Sequence, residues 1–304
     1  MSSKILIIGM GAIGSLYASF CNQNDVIVEC VSRSHFQSIE ENGIDIIQPN
    51  QSIKTWKPSA VYSRIGELTY SPDYIVIATK VLPSINLISE LSKIVGKDTS
   101  IVLLQNGIDI EHPYIKAFPN THLISGLAFV CVTRVDEKTV HHQDYGRAIF
   151  GDYPSGLSEK TKEFVSFFSK APVEIKASEH IHYQRYKKLI WNAAFNPLSV
   201  ILKGKNTKEI LEMPGQEDYI RAVMKEVQGL AKKEGVQIED KVIEKNIADT
   251  KVMKPYKTSM CMDWENNREM ESDAILGNAL KVAQRYGLSC PKMEEMYRLL
   301  KEKG

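Results

Sequence analysis

The chain has 304 residues, 38 basic against 37 acidic side chains, and 43% hydrophobic residues. That length is comfortable for two domains, and the balanced charge gives no support to nucleic-acid binding or membrane adhesion. No apolar run approaches the ~18 residues of a membrane span, and the N-terminal run at 5–8 is too short for a secretory signal.

The five cysteines, Cys21, Cys30, Cys131, Cys261 and Cys290, are scattered and form no CxxC pair, so no metal site or redox pair is expected. They read as small buried hydrophobes in a reducing, cytoplasmic setting.

In chain order, residues 4–8 are apolar and β-branched and predict a strand. Residues 12–22 predict a helix, 26–31 a second strand and 36–41 a polar helix. Residues 44–47 and 53–61 are β-like but irregular, and 74–78 predict a buried strand. A helix is expected over 83–95, with Pro83 in its first turn, and a strand over 100–104. Strands and helices alternating in this way imply a parallel sheet covered on both faces. Residues 123–134, 139–142 and 147–150 predict further strands at a partly antiparallel edge. An amphipathic helix follows at 157–170 and a last short strand at 173–175.

The pattern changes near residue 177. Ser178 is placed to cap a long helix reaching about residue 202. Helices are then expected over 216–234, 238–249, 256–266, 270–286 and 292–301, with Gly235 and Gly287 where C-caps belong. The reading is therefore an α/β Rossmann domain at 1–177 and an all-α domain at 178–304.

Gly9-Met10-Gly11-Ala12-Ile13-Gly14 matches GxGxxG between a predicted strand and a predicted helix, the context that gives the motif meaning. Its glycines permit a tight turn, close approach of backbone to a diphosphate, and close helix–strand packing. The helix N-terminus adds free N–H groups and positive dipole. An NAD site usually carries an acid about 20 residues further on. Here the second strand ends in Val31-Ser32-Arg33-Ser34, and Arg33 is suited to a 2′-phosphate, so NADPH is expected. The competing reading of Arg33 is a solvated loop cation. Lys80 and Asn106 follow the strands at 74–78 and 100–104. The carboxyl ends of such strands face the ligand, so both are candidates for contact with cofactor or substrate.

In the second domain, Lys188, Asn192 and Asn196 are spaced by four and share one helix face. Their neighbours are apolar, and Pro197 predicts a kink or local break. Taken alone, this stretch reads first as a buried helix with two satisfied amides and an exposed lysine. Further on, Thr258-Ser259-Met260 precedes Met270-Glu271-Ser272 in an acid-rich region where a solvated face is the default for any one carboxylate.

Taken together and in this order, GMGAIG, ATK, LQNG, KLIWNAAFNP, and TSM with its following glutamate resemble the ketopantoate reductase (2-dehydropantoate 2-reductase) family. The resemblance runs nearly end to end, and KLxxNxxxNP is its most specific mark. It implies a C-terminal domain like that of 6-phosphogluconate dehydrogenase and NADPH-dependent reduction of ketopantoate to pantoate, toward pantothenate and coenzyme A.

By the same resemblance, Lys188 is the general acid, and Glu271 holds the substrate hydroxyl and orders the lysine. Asn192 and Asn196 bind substrate, and Ser259 binds its carboxylate end. Asn106 and Lys80 line the cofactor–substrate junction, while the glycine loop and Arg33 hold NADPH. The partner is thus a small keto acid, and the helical domain has surface enough for a homodimer. Residues 127–132 and 270–277 depart from the family pattern, which leaves open a paralogous reductase of another 2-keto acid. A non-catalytic NADPH sensor and a flavoprotein are the more distant alternatives.

Overall fold

The computed structural model describes residues 2–22, 24 and 26–303. Contacts divide the chain into two compact units. One comprises Met1–Lys80, Asn86–Gln105 and Glu111–Ile181; the other comprises Val81–Ile85, Asn106–Ile110 and His182–Gly304.

The first unit is built on one sheet. In chain order its elements are β1 (Ser3–Ile8), α1 (Ala12–Phe20), β2 (Val26–Val31), α2 (Phe36–Asn42), β3 (Ile44–Ile47), β4 (Ile53–Trp56), β5 (Ala60–Tyr62), β6 (Tyr74–Ile77), α3 (Ile88–Leu91), β7 (Ser100–Leu104), α4 (His112–Ala117), β8 (His122–Arg134), β9 (Thr139–Asp152), α5 (Glu159–Ser166) and β10 (Ile175–Ala177). The strand order is β4-β3-β9-β8-β7-β6-β1-β2-β5, with β10 paired to β9. From β8 through β5 every pairing is parallel. β6 and β7 are buried at every position, which is why they read as unbroken apolar runs rather than alternating ones.

The expected edge strands over 123–150 form instead one long antiparallel hairpin inside the sheet, because β3 and β4 pair beyond β9. Register shifts at Phe129/Val130 and Cys131/Val132 mark irregularities along it, of the kind that bend and twist a ladder. Val130 and Val132 in its outer half pack in the same apolar cluster as Leu16, Tyr17 and Phe20 of α1.

The helix expected over 83–95 is reduced to α3. Pro83 disfavours helical backbone at Leu82, and helix begins only where the Asn86 side chain accepts the Ile88 amide at 3.2 Å. The residues between are used elsewhere, since Val81–Ile85 belongs to the other unit.

The second unit contains α6 (Ile181–Ile201), α7 (Thr207–Leu211), α8 (Gln216–Lys233), α9 (Asp240–Val252), α10 (Ser259–Glu265), α11 (Asn278–Arg285) and α12 (Pro291–Lys301). Leu189, Ile190, Ala193, Ala194 and Phe195 of α6 are buried against Val223, Met224 and Val227 of α8 and Met293 and Met296 of α12. A helix apolar on most of its circumference is one surrounded by others.

Pro197 lies inside α6 without breaking it. Burial of a single large apolar side chain is worth about 1.5–3 kcal/mol, so this packing exceeds the ~3 kcal/mol a mid-helix proline costs. The helix expected over 270–286 is instead a π-helical turn, Asp273–Gly277, leading into α11. The one expected over 256–266 begins only at Ser259, because the buried Thr258 caps it through the Cys261 amide. No helix among the described residues is long and apolar enough to cross a membrane.

Candidate active site

In the first unit, the loop after β1 is shaped by its glycines. Gly9 has φ +99, and a Cβ there would lie 2.6 Å from the Thr79 amide nitrogen. A Cβ on Gly14 would lie 2.1 Å from the Gly9 carbonyl oxygen. Neither position accepts a larger residue without moving backbone. Gly11 differs: it is exposed, and a Cβ on it would meet nothing within 4 Å. The chain thus packs tightly beneath the loop and leaves open space above it. Met10 is buried, and Ala12 and Ile13 form the first turn of α1.

Arg33 stands exposed just after β2, and Lys80 is partly buried three residues beyond β6. Between them, Thr79 accepts the Gln105 amide through its carbonyl at 2.8 Å. This contact couples the ends of β6 and β7.

In the second unit, α6 carries Lys188, with Asn192 and Asn196 one and two turns on. Both asparagines are buried. The Lys188 ammonium donates to Asn106 Oδ1 at 2.8 Å, and Asn106 Nδ2 donates to Glu271 Oε2 at 3.2 Å. The other Glu271 oxygen accepts the Val81 amide at 3.0 Å. Three of the sequence candidates, separated by 82 and 165 residues, therefore form one hydrogen-bonded chain.

Gly107 makes this approach possible. Its φ is +100, and a Cβ would lie 2.4 Å from the Ala274 carbonyl oxygen, so only glycine lets the segment after Asn106 lie against the π-helical turn. Glu271 is buried beside it. Ser259 is exposed at the start of α10, while its neighbour Thr258 is buried and shares a 2.7 Å hydrogen bond with Ser199.

Burial pushes the Lys188 ammonium down to about 8; the nearby Arg185 guanidinium adds to this and Glu271 opposes it. Arg185 is missing from the sequence candidates. It lies three residues before Lys188, is fully buried, and donates to the Gly107 carbonyl at 3.0 Å. Its signal in the sequence was the i, i−3 spacing alone, which an ordinary surface arginine would share. The Val81 amide carried no signal at all, since any residue supplies one. Among the described residues no cluster of His, Cys, Asp and Glu could hold a metal ion.

A sequence model of ketopantoate reductase PanE/ApbA matches residues 5–155, and one of the C-terminal part of ketopantoate reductase PanE/ApbA matches 180–304. The chain belongs to the ketopantoate reductase family. A 2-dehydropantoate 2-reductase of Nostoc sp. is 30% identical over 98% of this chain and 94% of its own length. The crystal structure of 2-dehydropantoate 2-reductase from Methylococcus capsulatus superposes with TM-score 0.92 at 40% identity, covering 98% of this chain and 96% of that one.

A D-mandelate dehydrogenase in complex with NADH and anilino(oxo)acetate shares the fold at TM-score 0.88 and 22% identity, covering 99% of this chain and 98% of its own. The family places the chain among oxidoreductases, and its fold, a mainly parallel sheet followed by a helical C-terminal part, is the one found here.

Proposed function

We propose that this chain uses NADPH to reduce a small 2-keto acid, 2-dehydropantoate foremost, with Lys188 as the proton donor. The observation that carries this reading is the Lys188–Asn106–Glu271 chain with its depressed ammonium. Hydride addition to a ketone leaves an alkoxide, which needs a nearby positive charge and then a proton. An ammonium with a pKa of about 8 is still mostly charged at neutral pH. It also gives up its proton more readily than an ordinary lysine.

Each neighbour has a part in that balance. Burial and Arg185 loosen the proton, whereas Glu271 keeps it from being lost altogether. The Asn106 carbonyl oxygen fixes where the ammonium points. Asn192 and Asn196 supply uncharged donors and acceptors for the keto acid on the same helix face, and Ser259 is assigned to its carboxylate end.

The residues of the glycine loop fit a dinucleotide. They are packed tightly enough below to exclude any Cβ at Gly9 and Gly14, and are open above Gly11. When bound, NADPH supplies the hydride. Gly9, Met10, Gly11, Ala12, Ile13 and Gly14 would hold its diphosphate, Arg33 its 2′-phosphate, and Lys80 and Asn106 would lie toward the reacting end. The product, pantoate, would feed pantothenate and coenzyme A synthesis in the cytoplasm.

The test is consumption of NADPH, followed by its absorbance, with 2-dehydropantoate beside a panel of other 2-keto acids. Strong preference for 2-dehydropantoate supports the full reading. Preference for another member keeps the chemistry and changes the substrate. Tight NADPH binding with no turnover of any of them would replace the enzyme by a sensor.

A further inference from the structure

Arg134, the last residue of β8, reaches back across 124 residues of chain to the glycine loop. Its Nη2 donates to the Met10 carbonyl at 2.5 Å and to the Ser15 hydroxyl at 2.7 Å. Its Nη1 donates to the carbonyls of Asp136 and Glu137 at 3.2 and 2.9 Å. Ser15 in turn donates its hydroxyl to the same Met10 carbonyl at 3.2 Å.

Two consequences follow from elementary geometry and charge. A trans peptide is planar, with its C=O and N–H pointing in opposite directions. The Met10 carbonyl and the Gly11 N–H belong to one such unit. Two donors hold the carbonyl inward, so the Gly11 N–H is aimed away from them. Gly11 is also the position where open space lies above the loop.

The second consequence concerns charge. The hydrogen-bond partners of the Arg134 guanidinium are three carbonyls and a hydroxyl, all neutral. Its Nε is buried with no partner among the described residues. The nearby Asp136 carboxylate accepts the backbone amides of Lys138 and Thr139 instead. A partly desolvated cation therefore sits against the positive end of the α1 dipole, offset by the nearby Asp136 charge but with no carboxylate among the described residues hydrogen-bonded to it. That arrangement is unfavourable on its own and is relieved by an anion over the same helix end.

We infer that Arg134 is a positioning residue for the dinucleotide's diphosphate: it aims the Gly11 amide and supplies positive charge whose hydrogen-bond partners are all neutral. This rests on the dinucleotide reading above and extends it to a residue outside the glycine motif. It also separates two tasks on the cofactor. Arg33 is assigned to the 2′-phosphate, which only NADPH carries, and Arg134 to the diphosphate, which NADPH and NADH share.

The experiment titrates the full-length chain with NADPH and NADH by nucleotide fluorescence. It titrates adenosine 2′-monophosphate, which has the 2′-phosphate but no diphosphate, by calorimetry. Arg134→Met is expected to weaken NADPH and NADH by the same factor, about 10–100-fold, the span for losing hydrogen bonds to a charged group. Adenosine 2′-monophosphate is expected to bind as before. Arg134→Lys, which keeps the charge but not the fork, falls between. Arg33→Ala gives the reverse pattern, losing adenosine 2′-monophosphate and sparing NADH.

Ser15→Ala removes one donor to Met10 and one acceptor of Arg134 and serves if the arginine variants do not fold; it is expected to weaken both dinucleotides alike by a few fold. Unchanged NADPH and NADH binding in Arg134→Met overturns the inference. So does equal loss of adenosine 2′-monophosphate, which would indicate general distortion. If the unaltered chain binds none of the three nucleotides, it is the dinucleotide reading itself that fails.

Discussion

Replacing Lys188 by methionine removes the proposed proton donor and is also expected to make the protein more stable at neutral pH. Burial and Arg185 lower the lysine from 10.5 to about 8, so folding disfavours its charged form. At about 1.36 kcal/mol per unit, the cost below pH 8 is at most about 3 kcal/mol. The methionine variant loses the hydrogen bond to Asn106, worth about 1–2 kcal/mol when its partner is left unpaired. The net gain at pH 7 is therefore about 1–2 kcal/mol, or roughly 2–8 °C in melting temperature.

The sign of the effect depends on pH. The penalty is fully present below the folded pKa and is relieved as pH rises from about 8 toward 10.5. By linkage it falls to under about 1 kcal/mol at pH 10, where the lost hydrogen bond outweighs it. Thermal unfolding of both proteins at pH 7 and pH 10 measures this directly. A variant less stable than the parent by the same amount at both pH values would refute the claim that Lys188 is held there at an electrostatic cost.

The same ammonium sets the pH profile: kcat for keto-acid reduction is expected to fall as pH rises through about 8, and oxidation of the hydroxy acid to rise over the same range, both read from steady-state rates. Lys188→Ala is expected to reduce turnover by about 10²–10⁴-fold with little change in NADPH affinity; near-normal turnover would place the acid elsewhere. Glu271→Gln removes the group that raises the lysine pKa, so the falling limb moves to lower pH and kcat drops, whereas an unmoved limb would mean Glu271 acts only on substrate. Gly14→Ala places a Cβ 2.1 Å from the Gly9 carbonyl oxygen and is expected to lower both the melting temperature and dinucleotide affinity, because α1 and the loop cannot both keep their places.

What the sequence revealed of the fold was what local patterning encodes. β1, β2 and β7 were legible because each is a short, mostly apolar run, and α6 because its apolar stretch is long. The helix expected over 83–95 failed because Pro83 and Asn86 give their segment a local preference that its apolar content does not reveal. The hairpin's place inside the sheet was hidden for a different reason, since its pairing with β3 joins stretches about ninety residues apart.

Among the candidate site residues, Lys188, Asn192 and Asn196 were legible as one helix face. Asn106 was legible from its place after a strand's carboxyl end, whereas Glu271 stood out from its acidic neighbours only through family resemblance. Arg185 and Arg134 were not found, because what sets each apart is a distant backbone carbonyl, 78 and 124 residues away. Cationic side chains on a helix or at a strand end otherwise look like surface.

The short excursions Val81–Ile85 and Asn106–Ile110 have a bearing on synthesis and engineering. As the chain leaves the ribosome, both emerge well before the helices they join. The Val81 amide and the Asn106 side chain then wait for Glu271 to be made, and the Gly107 carbonyl waits for Arg185. A fragment beginning at His182 would hold Lys188 and Glu271 but lack the residue that bridges them. The lysine site is therefore not a portable module of the C-terminal half, and grafting or splitting the gene at that boundary would transfer the helices without the assembled site.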